Sequence, residues 1–152
     1  PCNLYGQGDT FDAQNSHVIP ALLMKFHAAK MSGAESVTLW GTGTPLREFL
    51  HVDDLAEACV FMLKNYSDAL HMNVGSDTEV SISDLAHMVA KTVGYSGKIL
   101  FDPSKPDGTP RKLMDNGKIA ALGWSPRISL QDGLKDAYAW YCDQVVSTKS
   151  VA

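Results

Sequence analysis

The sequence predicts an α/β protein. Three observations carry the prediction. Short β-type runs such as Val37 to Trp40 and Ile99-Leu100-Phe101 alternate with stretches whose apolar residues recur at helical spacing. Gly, Pro, Asn and Asp punctuate the boundaries between them. A chain of 152 residues, 45% hydrophobic and 20% charged, is long enough to bury one ordinary core.

Taken in order, residues 6–16 read as a loop rich in Gly, Asp, Gln and Asn. Asn15-Ser16 offers helix caps, and Pro20 falls in the first turn, where its missing N–H does little harm. Ile19, Leu22, Leu23 and Phe26 then carry a helix to about Lys30. Gly41-Thr42-Gly43-Thr44-Pro45 breaks the strand that ends at Trp40. Leu46 to Val52 is a second strand, with Arg47, Phe49 and His51 on one face and Leu46, Glu48 and Leu50 on the other.

Asp54 followed by Glu57 resembles a capping box and opens a helix through Leu63. Asp53 and Asp54 are thus read as caps. His71 to Gly75 reads as a short strand into a turn. Ser81 or Ser83 caps a helix with Ile82, Leu85, Met88, Val89 and Val93 as its apolar stripe, and Gly94 ends it. Ser104 to Pro110 is a loop. Asp115 opens a short helix closed by Gly123, and Ser129 with Asp132 opens the last helix, where Leu130, Leu134, Ala137, Trp140 and Tyr141 face the core.

Composition excludes several classes. A net charge of −4 argues against a broad nucleic-acid-binding face, while leaving room for a small basic pocket. Cys2, Cys59 and Cys142 form no CxxC pair, so neither a zinc knuckle nor a dithiol redox site is suggested, and reduced thiols in the cytoplasm are expected. His27, His51, His71 and His87 have no metal spacing among them. No apolar run approaches membrane-spanning length. Pro1-Cys2-Asn3-Leu4-Tyr5-Gly6 reads as a strand end running into a loop, and is expected to be an internal cut in a longer protein. The segment 147–152 is expected to fray.

Several segments together resemble the extended short-chain dehydrogenase/reductases. Pro1 to Gly6 is similar to their strand and loop beside the nicotinamide. Arg47 to Ala58 is similar to their Arg-x-aromatic-x-His-Val-x-Asp segment, and His71 to Ser76 to their late Asn-Val-Gly strand. Asn15 to Leu22, Val37 to Gly43 and Lys105 to Lys112 narrow the resemblance to the GDP-L-fucose synthase family.

The resemblance implies a substrate-binding α/β portion whose main Rossmann half is missing. Residues 1–14 and 52–78 would pack on that half, and 15–51 with 79–146 would form the nucleotide-sugar lobe. It implies NADP(H) as cofactor, GDP-4-keto-6-deoxy-D-mannose as substrate, GDP-L-fucose as product and a homodimeric parent. The Gly-rich dinucleotide fingerprint that such enzymes need is absent here. So is the Tyr-x-x-x-Lys pair: Tyr5, Tyr66, Tyr95, Tyr138 and Tyr141 are followed four residues on by Asp9, Leu70, Ile99, Cys142 and Val145. The chain alone is therefore expected to be inactive.

The resemblance also implies residue roles. His17 would be an acid–base residue and lie near NADP; spacing alone makes it a helix-start His bonded to a loop. Pro1, Cys2, Asn3 and Leu4 would run along the nicotinamide. Cys2 stands where the family commonly has a small polar residue. Arg47, whose planar fork suits phosphate, would hold the GDP diphosphate; otherwise it is a solvated strand Arg. Lys25, Trp40 and Asp107 would contact the nucleotide sugar. Their plainer readings are a solvent-facing Lys, a strand-end Trp and a Pro-Asp-Gly turn residue. Arg111 and Lys112 would add charge nearby or simply solvate their loop. A nucleotide-sugar enzyme with another substrate, and a binding module without chemistry, remain as alternatives.

Overall fold

The computed structural model describes residues 1–147. In chain order the elements are β1 (Asn3–Tyr5), α1 (Val18–Ser32), β2 (Ser36–Trp40), β3 (Leu46–His51), α2 (Val52–Asn65), β4 (Glu79–Ser81), α3 (Ile82–Val93), β5 (Lys98–Asp102), β6 (Arg111–Lys112), α4 (Gly117–Ala121) and α5 (Leu130–Trp140). A π-helical turn, Tyr141–Val146, continues α5. The expected α/β alternation is present. Of the expected frayed tail, residues 148–152 lie outside the described residues.

The strands form two sheets. In one, β3 is central: β1 runs parallel to it with Asn3 opposite Phe49, β4 runs antiparallel with Leu46 opposite Ser81, and β6 runs parallel with Arg47 opposite Lys112. In the other, β2 and β5 pair in parallel with Val37 opposite Ile99.

The main core lies where α1, α3 and α5 meet. Leu23 and Phe26 from α1, Leu85 and Val89 from α3, and Leu134 and Ala137 from α5 are all buried in one cluster. Each large apolar side chain removed from water contributes about 1.5–3 kcal/mol. Exposed ion pairs such as Lys135–Asp132 are worth roughly 0–1 kcal/mol, so the apolar seam between helices decides the fold. A second cluster of Leu50, Ala58, Val74, Ile119 and Trp124 packs on the far side of β3. The alternation expected of β3 is kept, but Glu48, Phe49, Leu50 and His51 are all buried, because helices or loops cover both of its faces.

Helix α3 starts as expected, with the Ser81 side chain accepting from Asp84 N, and ends at Gly94 in a left-handed conformation. Its first turn also receives outside help: Ile82 N donates to Pro45 O and Ser83 N to Gly43 O. The helix start thereby fixes the Gly-rich turn after β2.

Four expectations need correction. Asn15 and Ser16 do not cap α1; its N-cap is His17, whose side chain makes no cap bond, and the Ser16 hydroxyl instead turns into the loop, where the carbonyls of Thr10 and Asp12 both lie within reach of its single O–H. Asp53 and Asp54 are not caps either. The His51 ring caps α2 by accepting from Asp53 N, and Asp54 lies one position further in, buried, accepting from Arg127 N and Ile128 N. The amides that precede α5 take the Asp54 carboxylate, and the His51 ring serves the start of α2 in its place. His71–Gly75 is not a strand: Val74 O accepts from Cys2 N, but no ladder continues from it. Helix α4 begins after Asn116, and Asp115 Oδ1 accepts from Gly117 N just ahead of it.

Candidate functional site

Strand β1 and the loop after it, the start of α1 and the end of β3 enclose a cleft of about 620 Å³. Cys2, Asn3, Leu4 and His17 all line it, although residues 2–4 and 17 belong to different elements. Pro1 is not in its wall; it lines a neighbouring hollow with Cys2, Asn3 and Lys112. The cleft has an apolar side of Leu4, Val18, Ile19, Phe49 and Val52 and a polar rim of Asn3, Gln7, Asp9 and His17. Its volume is within the usual range for a small-ligand pocket.

His17 is exposed, and its ring stands at the amino end of α1. No acidic residue occupies the first turn of α1, and the nearest carboxylate in the cleft lining is that of Asp9, on the loop after β1. Side-chain contacts tie the cleft wall to its surroundings. Asn3 Nδ2 donates to Glu48 O at 2.8 Å, and the Tyr5 ring meets the His51 ring edge-on at 5.4 Å. His51 Nε2 and Gln7 Nε2 both reach the Asp136 carboxylate on α5, at 3.3 and 3.1 Å. Burial and the neighbouring Glu48 push the Cys2 thiol up to about 11. Burial and nearby Asp54 push the Tyr5 phenol well above its ordinary value. Neither group is a ready acid or nucleophile.

A second set of candidates lies further along β3. Arg47 and Phe49 share a strand face, one side-chain repeat or about 7 Å apart, so β3 links the cleft to Arg47. The half-buried Arg47 donates from one guanidinium nitrogen to Leu46 O at 2.7 Å, and its other terminal nitrogen approaches Gly108. Asp107 sits in the same 103–110 loop. Its carboxylate accepts from Thr42 N at 2.6 Å and Thr42 Oγ1 at 2.8 Å. A Cβ on Gly41 would lie 2.2 Å from Asp107 Oδ1, so that close approach requires glycine.

Trp40 is 70% exposed at the end of β2, with Lys105 Nζ 6.0 Å from its ring centre. Lys25 Nζ donates to Thr38 O at 2.6 Å, leaving two of its donors uncommitted to that carbonyl. Arg111 has its fork filled by Glu79, at 2.6 to 2.8 Å through Nη2 and Nε, and the same bonds hold the Glu79 carboxyl below its usual range.

Sequence reasoning missed two buried carboxylates, Glu48 and Asp54, and the capping role of His51. A signal existed for Glu48: it alternates with Leu46 and Leu50, so a charge sits on an otherwise apolar strand face. No group of three or more His, Cys, Asp or Glu among the described residues has the geometry to hold a metal ion. Among the same residues, no helix is long and apolar enough to cross a membrane.

Residues 1–75 match the NAD dependent epimerase/dehydratase family. The chain is 59% identical over 145 residues to GDP-L-fucose synthase 1 of Arabidopsis thaliana, covering 95% of this chain and 45% of that protein. It is 49% identical over 152 residues to the GDP-L-fucose synthase of Escherichia coli (strain K12), covering 94% of this chain and 47% of that one. Among solved structures, a GDP-L-fucose synthetase from Naegleria fowleri bound to NADP superposes with a TM-score of 0.86 at 27% identity, covering 99% of this chain and 46% of the other. The chain thus spans about half the length of the curated relatives it matches.

Proposed function

This chain belongs to the NAD dependent epimerase/dehydratase family, and from that premise we propose that it is the nucleotide-sugar-binding half of an NADP-dependent GDP-L-fucose synthase. The observation that carries the reading is the 59% identity to such a synthase across 95% of the chain. The complete enzyme converts GDP-4-keto-6-deoxy-D-mannose to GDP-L-fucose, inverting the sugar at C3 and C5 and reducing the C4 ketone. It is a homodimer in the cytoplasm.

In this reading the remaining half brings the Gly-rich dinucleotide turn, the Ser, Tyr and Lys of reduction and a Cys that works opposite His17. Residues 1–14 and 52–78 pack on it, which gives a use to Val60 and Leu63 of α2, 51% and 85% exposed here. NADPH, when bound, supplies hydride. The backbone of Pro1 to Leu4 runs along the nicotinamide, and Leu4, Val18 and Phe49 exclude water from it. His17, at the rim of the same cleft, holds the proton that is returned to the sugar carbon. The C4 ketone acidifies the neighbouring C–H bonds, so proton removal from one face and return on the other requires two acid–base groups. Arg47 grips the diphosphate, Lys25 and Trp40 border the sugar nucleotide, and Asp107 contacts it from the 103–110 loop.

Calorimetric titration of the chain with GDP and with UDP tests the reading. GDP is expected to bind and UDP to bind at least tenfold more weakly, a difference of about 1.4 kcal/mol. Preference for UDP would assign the chain to another nucleotide sugar.

A further inference from the structure

Glu48 is fully buried on β3, and its carboxylate is surrounded by N–H donors from two other chain segments. Oε1 accepts from Ser76 N at 2.6 Å, Asp77 N at 2.9 Å and Asn116 Nδ2 at 3.1 Å, and Oε2 accepts from Met114 N at 3.0 Å. A carboxylate taken out of water is costly unless such bonds replace its hydration. The surroundings are shaped for it. A Cβ on Gly75 would lie 2.3 Å from Glu48 Oε1, so glycine lets the turn close on the carboxylate. Asp77 has φ 56, uncommon for a residue with a side chain. Its N–H on Glu48, and its own carboxylate accepting from Asn116 Nδ2 at 2.9 Å, hold it there.

An apolar residue would fill this position of β3 between Leu46 and Leu50 more cheaply. The carboxylate does what an apolar residue cannot: it binds backbone donors that have no strand partner. Strand β6 is only two residues long, pairing Arg111 with Leu46 and Lys112 with Arg47. Beyond it, Met114 N turns to Glu48 Oε2. Glu48 therefore extends the grip of β3 on this segment past the point where β6 stops. The segment is the return stalk of the 103–110 loop, which carries Asp107 on Thr42 and Gly108 beside Arg47.

We propose that Glu48 is a positioning residue of the nucleotide-sugar site: by pinning Met114 and the 75–77 turn, its buried carboxylate holds the 103–112 segment in register over Arg47. This rests on the reading of Arg47 and the 103–110 loop as the grip on the nucleotide. Glu48 acts through that segment and touches no ligand itself.

The test compares the chain with its Glu48→Gln variant by NMR amide hydrogen exchange and by titration with GDP. In Glu48→Gln the amide oxygen still serves Ser76, Asp77 and Asn116, but an NH₂ group faces Met114 N, donor against donor. The Met114 and Leu113 amides are expected to exchange at least tenfold faster, with Ser76 and Asp77 spared and cooperative unfolding retained. GDP affinity is expected to fall roughly tenfold, whereas Glu57→Gln, which removes a remote surface ion pair with Arg127, changes neither readout. If Glu48→Gln does not fold, Glu48→Asp, which withdraws the carboxylate by one methylene, is read in the same way. Unchanged Met114 exchange in a folded variant overturns the pinning. Faster exchange with unchanged GDP affinity overturns the positioning role. A wild-type chain that binds no GDP overturns the nucleotide-sugar reading instead, while the exchange data still decide whether Glu48 holds the segment.

Discussion

The Asp107 carboxylate is closed on Thr42, accepting the backbone N–H at 2.6 Å and the hydroxyl at 2.8 Å. The residue expected to meet the nucleotide sugar is therefore also the clasp between the 103–110 loop and the turn after β2. Asp107→Ala should free that loop at modest cost. Two solvent-exposed hydrogen bonds at about 0.5–1.5 kcal/mol each bound the loss of stability, and GDP binding should weaken with it. Gly41→Ala should act on the same contact from the other side, because its Cβ would collide with Asp107 Oδ1 and its φ of 81 is left-handed. Chemical denaturation and GDP titration of both variants check this; an unaltered Gly41→Ala protein would show that the clasp is dispensable.

Arg47→Ala in the complete enzyme should weaken GDP-sugar binding and spare folding. A lost charge-assisted bidentate contact costs about 1.5–3 kcal/mol, or roughly tenfold to a few hundredfold in affinity. The Leu46 carbonyl that Arg47 now bonds is also held by the strand itself, which is why little stability should be lost. Calorimetry giving the wild-type dissociation constant would reduce Arg47 to a surface residue.

His17→Gln in the complete enzyme separates the two chemical tasks. Loss of a general acid costs on the order of 10²–10⁴-fold, so inversion at C3 and C5 should slow by that scale. Direct reduction of the unepimerised ketone should survive in part, giving a 6-deoxy sugar that is not fucose. NADP affinity should fall modestly, because His17 lines the cleft with Asn3 and Leu4. Solvent deuterium incorporation at C3 and C5, followed by NMR beside NADPH oxidation, makes the distinction. Exchange at the wild-type rate would leave His17 a structural or cofactor-contact residue.

Alkaline stability should carry the signature of Cys2. Burial, then Glu48, raises its thiol from 9.0 to about 11 in the folded chain. The folded state therefore keeps a proton that the unfolded state releases. The resulting stability is fully present below about pH 9 and is lost as pH rises towards 11. Cys2→Ala should flatten that part of the stability–pH curve, followed by denaturant midpoints from pH 8 to 11. At neutral pH a thiol reagent should modify exposed Cys59 well before Cys2. Equal rates would mean that Cys2 is not shielded.

Much of this architecture was legible in the sequence because it rests on local rules. The apolar spacing of Ile19, Leu22, Leu23 and Phe26 dictates which face of α1 is buried. Ser81 and Ser129 announce their helices through a cap bond that spans three residues, and Gly94 ends one through its own backbone. The conjunction of Cys2, Asn3, Leu4 and His17 could be expected only through family resemblance, since nothing in their spacing requires residues 4 and 17 to meet.

What the tertiary structure alone decided lies in the partners of charged groups. Asp54 looked like a helix cap because its neighbours in sequence offered a helix to cap; the chain instead brings the Arg127 and Ile128 amides to it. Glu48 looked like one polar residue in a strand, yet it holds Ser76, Asp77, Met114 and Asn116. Arg111 looked available to phosphate and is paired with Glu79. Periodicity and caps act over a few residues, so the α/β alternation and the apolar face of each helix follow from local sequence. A buried carboxylate must find donors wherever the fold supplies them, and those donors lie 28 to 74 residues away.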